Sequence, residues 1–170
     1  MEYYANNGTW YCNATALDDD GATGNNQSVG STLEPLVAIR IPGIIDFGDL
    51  AQGEMSSDVL ANITNAGNRD ANISVKGWGS SEGDGLAMTC TWGNIAVSWE
   101  RYNTTAGSDY DFMTQLGSAS LAMIPDFYVP QQTVDGTESI DYTYWRLQIP
   151  VGAGGVCNGK VLFSASDRGS

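Results

Sequence analysis

Short runs of alternating apolar and polar residues recur along the chain, and glycine, asparagine and aspartate separate them. In the run 59–64 the apolar residues are Val59, Ala61 and Ile63, and a second clear run covers 72–76. Successive side chains of a β-strand point to opposite faces, so residues two apart can share a buried face. No run has the period of an amphipathic helix, and no βαβ pattern is present. The sequence therefore predicts an all-β, antiparallel β-sandwich of about 7–9 strands.

The composition is typical of a β-rich extracellular module. Of the 170 residues, 42% are hydrophobic, which is enough for one folded domain with a real core. Only 16% are charged, against about 25% in an ordinary soluble domain. Glycine accounts for 21 residues, and Ser, Thr and Asn take polar positions that Lys and Glu usually hold.

The charge balance narrows the range of partners. The net charge is −13, and such a field repels nucleic acid and anionic lipid. The longest apolar stretch, 33–45, contains charged residues and prolines and is too short to span a bilayer. The chain contains no His, which removes the commonest general base and metal ligand. We expect no nucleic-acid partner, no direct membrane insertion and no catalytic residue.

The chain contains three cysteines: Cys12, Cys90 and Cys157. They show no C-x-x-C spacing, and without His a zinc site is implausible. In an exported protein they predict one disulfide and one free or intermolecular thiol. The sequence alone leaves three pairings open.

Six N-x-[ST] sequons are candidate sites for N-linked glycans. With 12 Asn and 28 Ser or Thr in the chain, about two would arise by chance. A glycan is bulky and solubilising, and it belongs on a surface outside the cytoplasm. The alternative is a polar β-protein in which sequons arise from composition. On the predicted strands, Asn62 and Asn72 fall on the polar face. The expected sites are Asn7, Asn13, Asn26, Asn62, Asn72 and Asn103.

The first part of the chain is expected to stand apart from the main domain. We assign 1–31 to an N-terminal strand and a flexible linker, 32–167 to the sandwich, and 168–170 to a tail. The linker is rich in Gly, Asn and Ser and has no apolar period. A detached strand can complete the sheet of a neighbouring copy. The apolar face available for such strand addition consists of Trp10, Cys12, Ala14 and Ala16.

Two motifs could carry chemistry. The stretch 79–83 matches the G-x-S-x-G nucleophile elbow by letter, but that elbow needs a strand-to-helix turn and a His base. Asp18 and Asp20 are a candidate Ca²⁺ site, because hard cations bind clustered oxygens. Their spacing does not fit an EF-hand, and an acidic turn between strands is the alternative. No other metal or cofactor is expected.

Tryptophan side chains could form a platform for sugars. Trp99 and Trp145 fall on the apolar faces of predicted strands and are assigned to the core. Trp78 and Trp92 flank turns and are the candidates for an exposed stacking surface.

Several stretches resemble immunoglobulin-like modules of secreted archaeal and bacterial surface proteins. The resemblance implies an immunoglobulin-like sandwich over about 36–165. It also implies that Cys90 pairs with Cys157, because two cysteines at similar positions form a structural pair in such modules. The stretches that carry it are 45–53 (IDFGDLAQG), 63–68 (ITNAGN), 90–95, 143–147 and 155–163.

The N-terminal segment is similar to the last strand of a polycystic-kidney-disease-type module. Residues 8–10 (GTW) and 16–21 (ALDDDG) carry this second resemblance. The rest of such a module is not in the chain, which leaves Cys12 without the partner it would have there.

Three functions follow as expectations. The first is a non-enzymatic, N-glycosylated extracellular module with a structural or adhesive role at a cell surface. The second is a self-assembling extracellular fibre subunit that uses its N-terminal strand for donor-strand addition. The third is a carbohydrate-binding module. The expected partners are other copies of the chain or other surface proteins, together with N-linked glycans.

Overall fold

The computed structural model describes residues 4–169, whose regular structure is almost entirely β-strand. The predicted all-β class and antiparallel pairing are confirmed. In this range no helix is long and apolar enough to cross a membrane. The strands outnumber the expected 7–9 because several contain only two or three residues. They are β1 (Gly8–Trp10), β2 (Asn13–Leu17), β3 (Thr23–Gln27), β4 (Ser31–Leu33), β5 (Ile39–Arg40), β6 (Val59–Asn65), β7 (Ala71–Trp78), β8 (Leu86–Trp92), β9 (Asn94–Ala96), β10 (Glu100–Asn103), β11 (Thr114–Gln115), β12 (Ala122–Val129), β13 (Ile140–Leu147), β14 (Gly154–Asn158) and β15 (Lys160–Asp167).

Two antiparallel sheets enclose the main core. One has five strands in the order β11-β10-β13-β6-β5, and the other has three in the order β12-β7-β15. In β6, Ala61 and Ile63 are fully buried, whereas Asn62 between them is exposed. In β7, Ile73 and Val75 are fully buried and alternate with half-buried residues. The predicted alternation is confirmed in both strands, and its apolar side forms the core of a sandwich-like fold.

Trp145 of β13 lies in the middle of this core with no exposed surface. Its ring centroid lies 5.1 Å from that of Tyr102 and 5.8 Å from that of Phe163. Tyr102 belongs to the same sheet as Trp145, whereas Phe163 lies on β15 of the opposite sheet. The assignment of Trp145 to the core is confirmed, and its side chain joins the two sheets.

The assignment of Trp99 to the core is wrong, because 37% of its side chain is exposed. A 3₁₀ turn at Val97–Trp99 interrupts the alternation immediately before β10. The phase therefore shifts by one residue, and Glu100 and Tyr102 become the buried positions of β10.

A third sheet, β14-β8-β9, packs over a smaller core that shares β13 with the first. The Cys90–Cys157 disulfide joins β8 to β14, which confirms that pairing, and Cys12 is free and exposed. Gly159 separates β14 from β15. A Cβ atom at this position would lie 1.8 Å from the carbonyl oxygen of Ala87 in β8, so a side chain there would push this connection away from β8.

Residues 8–33 form a two-part hairpin, which we call the arm. β1 pairs with β4, and β2 pairs with β3. Between the two parts, the backbone N–H of Cys12 donates to Ser28 Oγ at 2.9 Å, and the backbone N–H of Ser28 donates to the Cys12 carbonyl oxygen at 2.8 Å. All residues of β1, β2 and β3 are exposed. The arm therefore projects from the sandwich and is held by hydrogen bonds within itself.

The arm differs from the sequence-based expectation in two ways. The stretch expected to be a linker up to residue 31 contains β3 and the first residue of β4, which ends at Leu33. The expected N-terminal strand with Trp10, Cys12, Ala14 and Ala16 is divided between β1 and β2. Cross-strand hydrogen bonds with β2 rather than burial define β3, so β3 leaves no apolar period in the sequence.

Candidate interaction surfaces

Large apolar side chains are exposed along the arm. Leu17 is 71% exposed and Val29 is 93% exposed, while Trp10 and Tyr11 each expose about half of their surface. An isolated two-stranded hairpin is marginally stable in water, and exposed apolar groups add nothing to its folding. A partner that covered these groups would stabilise the arm, which makes it the first candidate interaction surface.

The four residues expected to serve strand addition all lie on the arm. Trp10 is in β1, Ala14 and Ala16 are in β2, and Cys12 lies between the two strands. The structure does not hold them on one free strand, because β2 already pairs with β3 along its whole length. Within β2, the edge away from β3 is the one open to another strand.

The two residues that precede the arm, Asn6 and Asn7, are held to the sandwich by side-chain hydrogen bonds. Arg69 Nη1 donates to Asn7 Oδ1 at 3.3 Å, and Gln131 Nε2 donates to Asn6 Oδ1 at 2.5 Å. These contacts fix where the arm leaves the body, while its tip remains in solvent.

The tip of the arm is an acidic turn that follows β2. Asp18 Oδ1 accepts hydrogen bonds from the backbone N–H groups of Asp20 at 3.1 Å and Ala22 at 2.7 Å. Asp19 and Asp20 are exposed beside it. Within residues 4–169 no group of three or more acidic or cysteine side chains could hold a metal ion. The observed geometry is that of an acidic turn between strands, and Ca²⁺ binding at Asp18 and Asp20 stays a prediction.

A pocket of about 120 Å³ lies beside the start of β15, which is an edge strand because it pairs only with β7. The irregular segment 41–47 forms one wall, and the opposite wall comes from Gly159 and β15. Most of the lining is apolar. The charged residues that line it are Glu100 and Lys160.

Glu100 is the buried polar group of this pocket. Its residue is only 1% exposed, and its carboxyl group makes no hydrogen bond or ion pair within the described part of the chain. Burial raises the pKa of this carboxyl from 4.5 to about 8, because an isolated charge is costly to remove from water. At neutral pH the group is therefore mostly protonated and uncharged. No sequence pattern indicated this burial, since the expected alternation placed Trp99 inward instead.

Replacing Glu100 with glutamine is expected to remove a pH dependence of stability. The unfolded chain releases the Glu100 proton near its ordinary pKa of 4.5, whereas the folded chain holds it up to about pH 8. The folded state therefore binds more protons between these values, and stability falls as the pH rises through this window. At pH 8 we expect the free energy of unfolding of Glu100→Gln to exceed that of wild type by more than about 1 kcal/mol. At pH 4.5 the two should be similar.

Urea unfolding across pH 4.5 to 8 measures this difference. Glu34→Gln is the matched control, because Glu34 is exposed and the substitution should leave the pH profile unchanged. A wild-type profile identical in shape to that of Glu100→Gln would contradict the buried, unpartnered state of Glu100.

Lys160 lies at the rim of the same pocket and is exposed. Five of the seven basic residues lie within 4.0 Å of a carboxylate oxygen. Of the other two, Arg168 stacks on Tyr128, with its guanidinium carbon 3.4 Å from the ring centroid. Lys160 has no carboxylate partner among residues 4–169. Its positive charge is thus available beside an apolar opening.

The sequon asparagines differ in accessibility. Four are exposed and two are partly buried. The amide nitrogen of Asn103, the atom that would carry a glycan, donates to Ser108 Oγ at 2.9 Å. Glycosylation there must displace this hydrogen bond. The exposed asparagines are Asn7, Asn13, Asn26 and Asn62, and the partly buried ones are Asn72 and Asn103.

The stretch 79–83 is a loop held by Asp84. This carboxylate accepts hydrogen bonds from four backbone N–H groups, those of Gly79, Ser80, Ser81 and Leu86. The chain continues into β8 rather than into a helix, so the loop lacks the geometry of a nucleophile elbow.

The two candidate stacking residues lie in different surroundings. Trp92 is 68% exposed, whereas Trp78 is partly covered and has Lys76 Nζ 5.7 Å from its ring centroid. Trp92 is the more accessible ring, and sugar binding at either position stays a prediction.

No family model matches the chain, and no curated protein or solved structure is similar enough to count as a match. The resemblance to immunoglobulin-like and polycystic-kidney-disease-type modules therefore stays a prediction. The candidate interaction surfaces are identified only by the positions, exposure and contacts of residues 4–169.

Proposed function

We propose that this chain is a non-enzymatic, N-glycosylated structural or adhesive module that acts outside the cytoplasm, at a cell surface. The observation that carries the proposal is the exposure of four of the six sequon asparagines, above all Asn62, which lies on the solvent side of a core strand. The Cys90–Cys157 disulfide supports the same setting, because such bonds persist in oxidising compartments.

Glycopeptide mapping of protein from its native host tests the proposal. We expect glycans at Asn62, and a lower occupancy at Asn103, whose amide is bonded to Ser108. Ser108→Ala removes the acceptor and should raise the occupancy at Asn103 while leaving that at Asn62 unchanged. Six unmodified sequon peptides from native material would contradict the proposal.

A second candidate is a self-assembling extracellular subunit. The exposure of both faces of the arm favours it, because apolar side chains that lie in solvent on a structured element can be buried only against a partner. In this proposal the arm of one copy binds another copy. Sedimentation velocity of the full chain over a wide concentration range tests it, and a monomer at every concentration would contradict it.

A further inference from the structure

The pocket beside β15 has features that a binding partner must match. Its wall is apolar, Lys160 supplies an unpaired positive charge at the rim, and Glu100 lies buried and unpartnered. A protonated Glu100 adds no charge. A cavity of about 150 Å³ lined by apolar side chains can hold a benzene molecule, so a pocket of about 120 Å³ suits one aliphatic side chain. The matching ligand is an apolar group followed closely by negative charge.

The tip of the arm has this combination. Leu17 is 71% exposed at the end of β2, and Asp18, Asp19 and Asp20 follow it directly. The arm contains no Lys or Arg between residues 8 and 33, so these carboxylates have no cation on the arm itself.

We propose that the arm tip of one copy docks in the pocket of a second copy, with the Leu17 side chain inside the pocket and the three aspartates against Lys160. The inference rests on the assembly candidate above and names the surface that would receive the arm. In the structure the tip is exposed, so the occupant comes from another molecule. Between Gly8 and Asp20 an extended chain covers about 40 Å, which is enough to reach a neighbour.

This contact joins two different surfaces, because the arm and the pocket are separate parts of each molecule. Such a heterologous contact leaves one free arm and one free pocket on every pair. It therefore builds either a ring or an open filament, and it does not stop at a symmetric dimer.

Sedimentation velocity of the full chain at about 0.15 M salt, where long-range repulsion between the acidic molecules is screened, tests the contact. Lys160→Gln and Leu17→Asp should each weaken self-association at least tenfold. Arg168→Gln removes the other basic residue that has no carboxylate partner among residues 4–169. Val151→Asp removes an exposed apolar residue that belongs to neither the arm nor the pocket lining. Both controls should associate as wild type does.

An exchange of charge between the arm tip and the pocket is the decisive experiment. Lys160→Glu alone and Asp19→Lys/Asp20→Lys alone should both be defective. Mixing the two proteins should restore association, because each arm then meets a pocket of opposite charge. Asp18 is left unchanged because it caps the turn.

The outcomes separate this inference from the broader proposals. If wild type associates but Lys160→Gln and Leu17→Asp behave like their controls, the arm-to-pocket contact is wrong and assembly uses another surface. If wild type is monomeric at every concentration, both the contact and the assembly candidate are wrong. Glycan occupancy is measured independently and decides the surface-glycoprotein proposal in either case.

Discussion

Replacing Trp145 with alanine should lower the free energy of unfolding by about 3–5 kcal/mol. The side chain is fully buried, and its ring contacts those of Tyr102 and Phe163. Its indole N–H also donates to Thr143 Oγ1 at 2.9 Å, within a site where Thr143 is itself fully buried. Alanine would leave a cavity between the two sheets and remove one of the two hydrogen bonds of the Thr143 hydroxyl, which keeps its bond to the Ala61 carbonyl oxygen. Urea or guanidinium unfolding at neutral pH measures the loss.

Trp92→Ala is the matched control for this prediction. The same residue type is removed from a position that is 68% exposed, so the change should stay within about 0.5 kcal/mol. Equal effects of the two substitutions would show that Trp145 does not join the sheets as described.

Removing the Cys90–Cys157 disulfide should destabilise the fold by about 4 kcal/mol in the chain-entropy model. The two cysteines are 67 residues apart, so the bond closes a long loop and strongly restricts the unfolded chain. It also joins β8 to β14 over the smaller core. The variant Cys90→Ser/Cys157→Ser, compared with wild type by chemical unfolding, measures the effect.

Cys12→Ser controls for the general cost of losing a cysteine. Cys12 is free and exposed on the arm, so its replacement should leave the unfolding midpoint of the sandwich unchanged. A Cys12 variant as unstable as the double variant, or a double variant as stable as wild type, would contradict the assignment.

The sandwich could be predicted from sequence because its strands bury one face. Ala61, Ile63, Ile73 and Val75 alternate with outward residues, and that pattern follows directly from strand geometry. The disulfide followed from the resemblance to immunoglobulin-like modules. These features are local in sequence or belong to a recognisable pattern.

Burial could not be predicted where the alternation changes phase. The 3₁₀ turn at Val97–Trp99 moves the inward position from Trp99 to Glu100, and a sequence-based pattern that ignores the turn reverses the two. A buried carboxyl is also contrary to the usual preference of Glu for solvent. The burial of Glu100 was therefore not predicted from the sequence.

Neither the form of the arm nor the pocket could be predicted from sequence patterns, for different reasons. β3 contains no large apolar residue, and its strand form depends on cross-strand hydrogen bonds with β2. The pocket combines segments far apart in sequence, from 41–47 to Lys160, and only the fold brings them together. The outward position of Asn62, in contrast, could be predicted because it depends on one strand alone.

The intact mass of native protein, measured before and after enzymatic or chemical removal of glycans, decides whether the chain is an N-glycosylated surface module. We expect a native mass above that of the polypeptide and a decrease on deglycosylation that corresponds to several N-linked glycans at exposed sequons. A native mass equal to that of the unmodified chain, unchanged by the treatment, would contradict the proposal of an N-glycosylated surface module.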